Sequence, residues 1–159
     1  EMCIRDRYKI KDESIVKGLN NVKKNTGLLG RWEIISEKPL TILDVGHNSD
    51  AFKEILKELK KINYSKLRLV LAFTKGKDYE KILNQFPTTV SFYFCKLKSN
   101  RSQNMKKVFN YAYKKKFDCK YFNSVDLAYE NAYNDSKKTD LIFVGGSTFT
   151  ISEFPRFNY

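Results

Sequence analysis

The chain has 159 residues and carries 30 Lys and Arg against 18 Asp and Glu, a formal charge of +12. That length fits one domain able to bury roughly two-thirds of its unfolded surface, so neither a disulfide framework nor a structural metal is needed. Cys3, Cys95 and Cys119 show no CxxC spacing and His47 is the only histidine, which argues against a zinc centre. With no signal peptide and no apolar run of membrane length, the expected compartment is the cytoplasm and the expected state a monomer.

The positive charge does not by itself select nucleic acid. The lysines are scattered from Lys9, Lys11, Lys17, Lys23 and Lys24 onward, mostly on faces that read as solvated. The excess of Lys, Asn, Ile, Tyr and Phe has the imprint of an AT-rich coding sequence. The aromatics fall inside strand and helix patterns, where they read as core and not as a base-stacking platform. No nucleic-acid or membrane partner is expected, although such a field would attract phosphates and polyanionic substrates.

Residues 1–7, Glu-Met-Cys-Ile-Arg-Asp-Arg, match nothing that follows and are set aside as an artefact. Residues 12–25 read as a helix begun at Asp12 or Ser14, with Ile15, Val16, Leu19 and Val22 as its apolar stripe and Asn25-Thr26-Gly27 as its end. A short strand is expected at 31–36 and another at 40–44. The spacing of Ala51, Phe52, Ile55, Leu56, Leu59 and Ile62 predicts a helix over 49–62, capped by Asn48 or Ser49. Leu67 to Phe73 reads as a strand buried on both faces. Lys75-Gly76-Lys77-Asp78 turns into a short helix reaching Leu83. A strand at 89–95, a helix at 102–115 and a strand at 119–122 follow. Ser124 then caps a helix carrying Val125, Leu127, Ala128 and Ala132, and Asp140 to Val144 forms the last buried strand. Strands alternating with helices imply an α/β fold: a Rossmann-like, mostly parallel sheet with helices on both faces.

In such sheets ligands bind at the carboxyl ends of strands. Four loops there carry polar residues: 44–48 with Asp44, His47 and Asn48; 74–78 with Lys75, Lys77 and Asp78; 98–102 with Lys98 and Arg101; and 145–148 with Ser147 and Thr148. Asp44 and Asp78 could equally serve as helix caps. The glycines and hydroxyls of 145–148 could hold an anion at a helix start. The sequence contains no GxxxxGK[ST], so the usual phosphate cradle is absent from this chain.

The segments Thr26-Gly27-Leu28-Leu29-Gly30-Arg31-Trp32-Glu33, Asp44-x-x-His47-Asn48, Lys77-Asp78, Arg101 and Phe143-Val144-Gly145-Gly146-Ser147-Thr148-Phe149, in this order, resemble the C-terminal domain of the folylpolyglutamate synthase/dihydrofolate synthase group of Mur ligases. The resemblance implies a Mur ligase C-terminal domain over 31–159, with 8–30 as the end of a preceding ATPase domain and its linker. It implies ATP-dependent joining of glutamate to a folate or dihydropteroate carboxylate through an acyl phosphate, with Mg2+ held by the preceding domain. Arg31, Asp44, His47 and Asn48 would then face the nucleotide, and Ser147, Lys77 and Arg101 the substrates, with no metal ligand in this chain. Ser49 stands where many relatives have proline, and Asn100 where a proline often precedes the arginine. The rival readings are another Mur-type amino-acid ligase, acting on a cell-wall precursor, and a stand-alone basic binding module.

Overall fold

The computed structural model describes residues 8–155, so residues 1–7 lie outside the described part. Its centre is a six-stranded sheet: β1 (Glu33–Glu37), β2 (Leu40–Leu43), β3 (Leu67–Leu71), β4 (Ser91–Cys95), β5 (Asp118–Phe122) and β6 (Leu141–Gly145), in the spatial order β1-β2-β6-β3-β4-β5. β1 pairs antiparallel with β2, and the other pairings are parallel. β3, β4 and β6 are buried along their full length, as strands sandwiched between helices must be.

Period-two alternation sends Leu69 and Leu71 to one face and Val70 and Ala72 to the other. The first face is covered by α3 (Ser49–Leu59), α4 (Tyr79–Leu83) and α5 (Met105–Lys114), through Phe52, Ile55, Leu59, Ile82, Val108 and Ala112. The second is covered by α6 (Val125–Asn134) and α7 (Thr148–Ser152), through Val125, Ala128, Tyr129, Ala132 and Ile151. Phe52 sits at the centre of the first layer, edge-on to Phe73, Phe86 and Phe143 at 6.4, 6.0 and 6.2 Å between ring centroids. No helix among the described residues is long and apolar enough to cross a membrane.

Where the structure departs from the sequence reading, a local cause is visible. The helix expected over 12–25 is two, α1 (Asp12–Asn20) and α2 (Val22–Thr26), and Lys11 precedes the first without a side-chain cap. The break falls at Asn21, whose Nδ2 donates to the Lys17 carbonyl at 2.8 Å, a local bond that competes with helix continuation. No residue of either helix is buried, and Leu19 is 67% exposed. β1 starts at Glu33 and not 31 because Gly30 and Trp32 have φ of +68° and +49°, which no strand accommodates. α5 starts at Met105 because Ser102 pairs with Thr74 in an isolated bridge and Asn104 caps the helix. Leu127 is 46% exposed; Tyr129 takes the inward position, completing the i, i+3, i+4, i+7 face with Val125, Ala128 and Ala132.

Arg68 interrupts the apolar run of β3 and is 8% exposed. Its Nε and Nη2 donate to Asp140 Oδ2 at 3.2 and 3.1 Å, and its Nη1 donates to the Tyr93 hydroxyl at 2.8 Å. Tyr93 in turn donates to Asp135 Oδ2 at 2.8 Å, which Lys120 also pairs. Removing one member of a buried pair strands the other charge, so Asp140→Ala should lose about 3–5 kcal/mol. Urea unfolding checks this, and a loss below about 1 kcal/mol would show that Arg68 finds another partner or solvent.

Hydrogen bonding from Lys120, and then from Tyr93, holds the Asp135 carboxyl below its usual range; the Ser91 hydroxyl, then Lys66, does the same for Asp118. Both folded-state values are depressed, so the unfolded chain binds more protons as acid is added. Their contribution is complete above the ordinary carboxylate range, about pH 4, and is lost as pH falls through the depressed values. The thermal midpoint should therefore drop below about pH 4, and Asp135→Asn should make that drop shallower in a melting series across pH.

Candidate functional site

β6 lies between β2 and β3 in the sheet, while the covering helices change face between the outward and returning crossovers. The loops leaving β2, β3 and β6 therefore meet at a topological switch point, where open α/β sheets bind ligands. Backbone bonds draw these loops together. Gly146 N–H donates to the Gly46 carbonyl at 3.1 Å, Ala72 N–H to the Gly145 carbonyl at 3.4 Å, and the Thr150 hydroxyl to the Ala72 carbonyl at 3.2 Å. Gly146 has φ +91°, and a Cβ there would stand 2.6 Å from the Ala72 oxygen, so only glycine permits this approach. The loop after β4 joins through Lys75 N–H to the Arg101 carbonyl at 2.8 Å and Gln103 N–H to the Phe73 carbonyl at 2.9 Å.

Between the four loops lies a cavity of about 480 Å3. His47, Lys77, Arg101 and Ser147, four of the seven residues singled out from sequence, line it together. Lys75 and Asn100 line it too. Sequence reasoning noticed Lys75 as one of two lysines flanking Gly76, but nothing in the pattern says which would face a cavity. No Asp or Glu lines the space, and among the described residues no carboxylate pairs with Lys75, Lys77 or Arg101. Cations held by backbone ties around one concave space focus a positive potential on an anion.

Arg31, Asp44 and Asn48 stand outside this cavity. Asn48 is the N-cap of α3: its Oδ1 accepts from Ala51 N–H at 2.8 Å, leaving the amide NH2 for other partners. Asp44 is not a helix cap. Its Oδ2 accepts from Trp32 N–H at 2.8 Å and its Oδ1 from Gly46 N–H at 2.7 Å, so it binds the linker to its own loop. The Gly30 carbonyl accepts from Val45 N–H at 2.8 Å, and Arg31 projects exposed between these anchors. His47 is exposed, with Nδ1 3.2 Å from the Val45 carbonyl.

In two of the loops a polar side chain serves the start of the helix that follows. Asp78 caps α4, accepting from Lys81 N–H at 3.0 Å. Ser147, 1% exposed, accepts from Phe149 N–H at 3.1 Å, and Gly146 N–H already serves Gly46. With α7 only five residues long, the 145–148 loop is thus a closure of the sheet edge more than a free anion nest. Ser49, in place of proline, gains a role: its hydroxyl and carbonyl accept from Gln85 Nε2 at 2.9 and 3.1 Å, tying α3 to the segment after α4.

A family model described as "Mur ligase, glutamate ligase domain" matches residues 30–148. The dihydrofolate synthase/folylpolyglutamate synthase of Buchnera aphidicola from Acyrthosiphon pisum is 32% identical over 154 residues, covering 93% of this chain and 35% of that protein. The bifunctional folylpolyglutamate synthase/dihydrofolate synthase of Yersinia pestis, solved with AMPPNP and a Mn ion, superposes with a TM-score of 0.76 at 28% identity, over 90% of this chain and 33% of that one. E. coli FolC in complex with DHPP and ADP does so with a TM-score of 0.75 at 25% identity, over 90% and 33%. The chain spans about a third of the length of these relatives. The match to the glutamate ligase domain over residues 30–148, the relative 32% identical over 93% of the chain and the shared fold place this chain in the Mur ligase family.

Proposed function

We propose that this chain is the C-terminal domain of an ATP-dependent ligase that adds glutamate to a folate or dihydropteroate carboxylate, working with a preceding ATPase domain whose end is residues 8–30. The observation that carries it is the cavity at the switch point, lined by Lys75, Lys77 and Arg101 with no carboxylate among its walls, in a domain matched as a glutamate ligase. Glutamate brings two carboxylates, which these cations can hold. Glutamate arrives with its amine protonated, and a cavity walled by cations with no acid disfavours the ammonium form, which eases loss of its proton to solvent before attack. Ser147 closes the floor of that space, and His47 stands at its rim.

Arg31 and Asp44 face the nucleotide in this reading. Asp44 has one lone-pair direction left on each oxygen beyond the Trp32 and Gly46 bonds, enough for a ribose hydroxyl. The phosphate cradle and the magnesium ligands belong to the preceding domain; among the described residues no cluster of three or more acid, His or Cys groups could hold a metal. ATP would activate the folate carboxylate as an acyl phosphate, and this chain would orient the glutamate whose amine attacks the acyl carbon and releases phosphate. The names of the relatives favour folate over a cell-wall precursor, which a Mur-type ligase of the same fold could otherwise serve.

Phosphoryl transfer depends on phosphate loop and metal acting together, so this chain alone should release no ADP above background with folate, glutamate and Mg2+ present. In the two-domain enzyme, Lys77→Met and Arg101→Met should each raise KM for glutamate about tenfold or more, with KM for ATP unchanged, as expected for losing a charge-assisted bond. Asp44→Ala should abolish ATP-dependent glutamate addition. Steady-state assays of ADP and of glutamylated product read all three, and full activity in Asp44→Ala would remove Asp44 from the nucleotide site.

A further inference from the structure

We propose that Glu33 is a positioning residue that sets how Arg31 is presented to the nucleotide and couples it to the helix before the linker. The inference rests on the reading of Arg31 as a nucleotide contact. Glu33 opens β1, and its side chain is 11% exposed. Its Oε2 accepts from Gly30 N–H at 2.8 Å and its Oε1 from Lys23 Nζ at 2.6 Å. Lys23 belongs to α2, Gly30 to the linker and Glu33 to the sheet, so one carboxylate joins three consecutive pieces of chain through separate oxygens.

Arg31 lies inside this clamp. On one side Gly30 is held at its N–H by Glu33 and at its carbonyl by Val45; on the other, Trp32 N–H is held by Asp44. Gly30 and Trp32 both occupy left-handed backbone, at φ +68° and +49°, which glycine adopts freely but which Trp32 keeps only because its surroundings enforce it. A Cβ on Gly30 would stand 2.6 Å from Ile151 Cγ2, so the linker is seated directly on α7. The exposed Arg31 side chain therefore starts from a backbone with little freedom to reorient. The bonds of Glu33 to Lys23 and to Gly30 also differ in kind. Lys23 is 64% exposed, so its pairing is screened by salt, whereas the bond to Gly30 is largely shielded.

The test uses the intact ligase that contains this chain, assayed for kcat and for KM of ATP and of glutamate. Glu33→Ala should raise KM for ATP about tenfold, the loss of one shielded charge-assisted bond, with KM for glutamate within about twofold of wild type. Glu33→Gln, which keeps an oxygen facing Gly30, should restore most of the ATP affinity. Lys23→Met should change little at high salt. Should Glu33→Ala fail to fold, Glu33→Asp, with the carboxylate withdrawn by one carbon, is expected to show the same selective rise. Amide hydrogen exchange on this chain supplies a second readout: Gly30 N–H should exchange faster in Glu33→Ala and near the wild-type rate in Glu33→Gln. An unchanged KM for ATP, an equal rise for both substrates, or no recovery in Glu33→Gln overturns the proposal while leaving the ligase reading intact. A wild-type enzyme inert with ATP, folate and glutamate overturns the ligase reading and this proposal with it.

Discussion

The return of β6 into the gap between β2 and β3 is the constraint on which the rest of the molecule depends. It forces three strand ends, each continuing into a loop, into the width of three adjacent strands. The loops can share that space only because Gly146 lets backbone pass within contact of the Ala72 carbonyl. Once there, they bond to one another through main chain: Gly146 to Gly46, Gly145 to Ala72, and Lys75 to Arg101. The side chains around the cavity are therefore carried on braced backbone, although most of them lie in loops. Bracing of this kind matters wherever groups must be placed precisely, since misplacement of a reacting group by about 1 Å can cost about a hundredfold in rate.

The treatment of cations separates the two ends of the sheet. At the amino end of β3, Arg68 is buried and fully engaged by Asp140 and Tyr93, with Asp135 and Lys120 extending the chain of contacts. Lys66 similarly pairs with Asp118 at the start of β5. At the carboxyl end, Lys75, Lys77 and Arg101 face one cavity without a carboxylate. Neutralised charge serves the fold at one end. At the other, cations without a carboxylate partner among the described residues surround one cavity. A uniform excess of Lys across the surface would give no such division, so the net charge of +12 is less informative than the positions at which it goes unpaired.

Much of this was legible before any coordinates. Period-two and period-3.6 spacing located β2, β3, β6, α3 and α5, because these elements bury a full face and the pattern must match the geometry. Asn48, Asp78 and Ser124 read as caps, and each accepts the expected backbone N–H. Where the reading faltered, long-range bonds decided the matter. Asp44 could not be told from a helix cap, because its partner Trp32 is 12 residues away across the linker. The cap that Ser147 forms on Phe149 N–H did not show in the pattern either, although the residue lines the cavity as the sequence reading expected. Lys75 had no distinguishing pattern; its place at the cavity follows from a bond to the Arg101 carbonyl on a different loop. The stripe of α1 had the spacing of a buried face, yet within the described residues it meets no partner surface.

Taken together, these contacts make residues 30–32 a structural part of the sheet's carboxyl edge and not a loose lead-in to it. The Glu33 and Asp44 carboxylates accept from the Gly30 and Trp32 N–H groups, and Val45 N–H donates to the Gly30 carbonyl, all within residues 30 to 46. They fix Gly30 and Trp32, and they leave exposed only the residue between. A flexible tether would need none of these bonds, and a purely packed one would not present a cation at its tightest point. The arrangement makes sense if whatever precedes the linker must meet the carboxyl edge of the sheet in one orientation, with Arg31 already in place when it does. In an active site shared between two domains, holding that residue before closure removes part of the ordering cost that binding would otherwise bear.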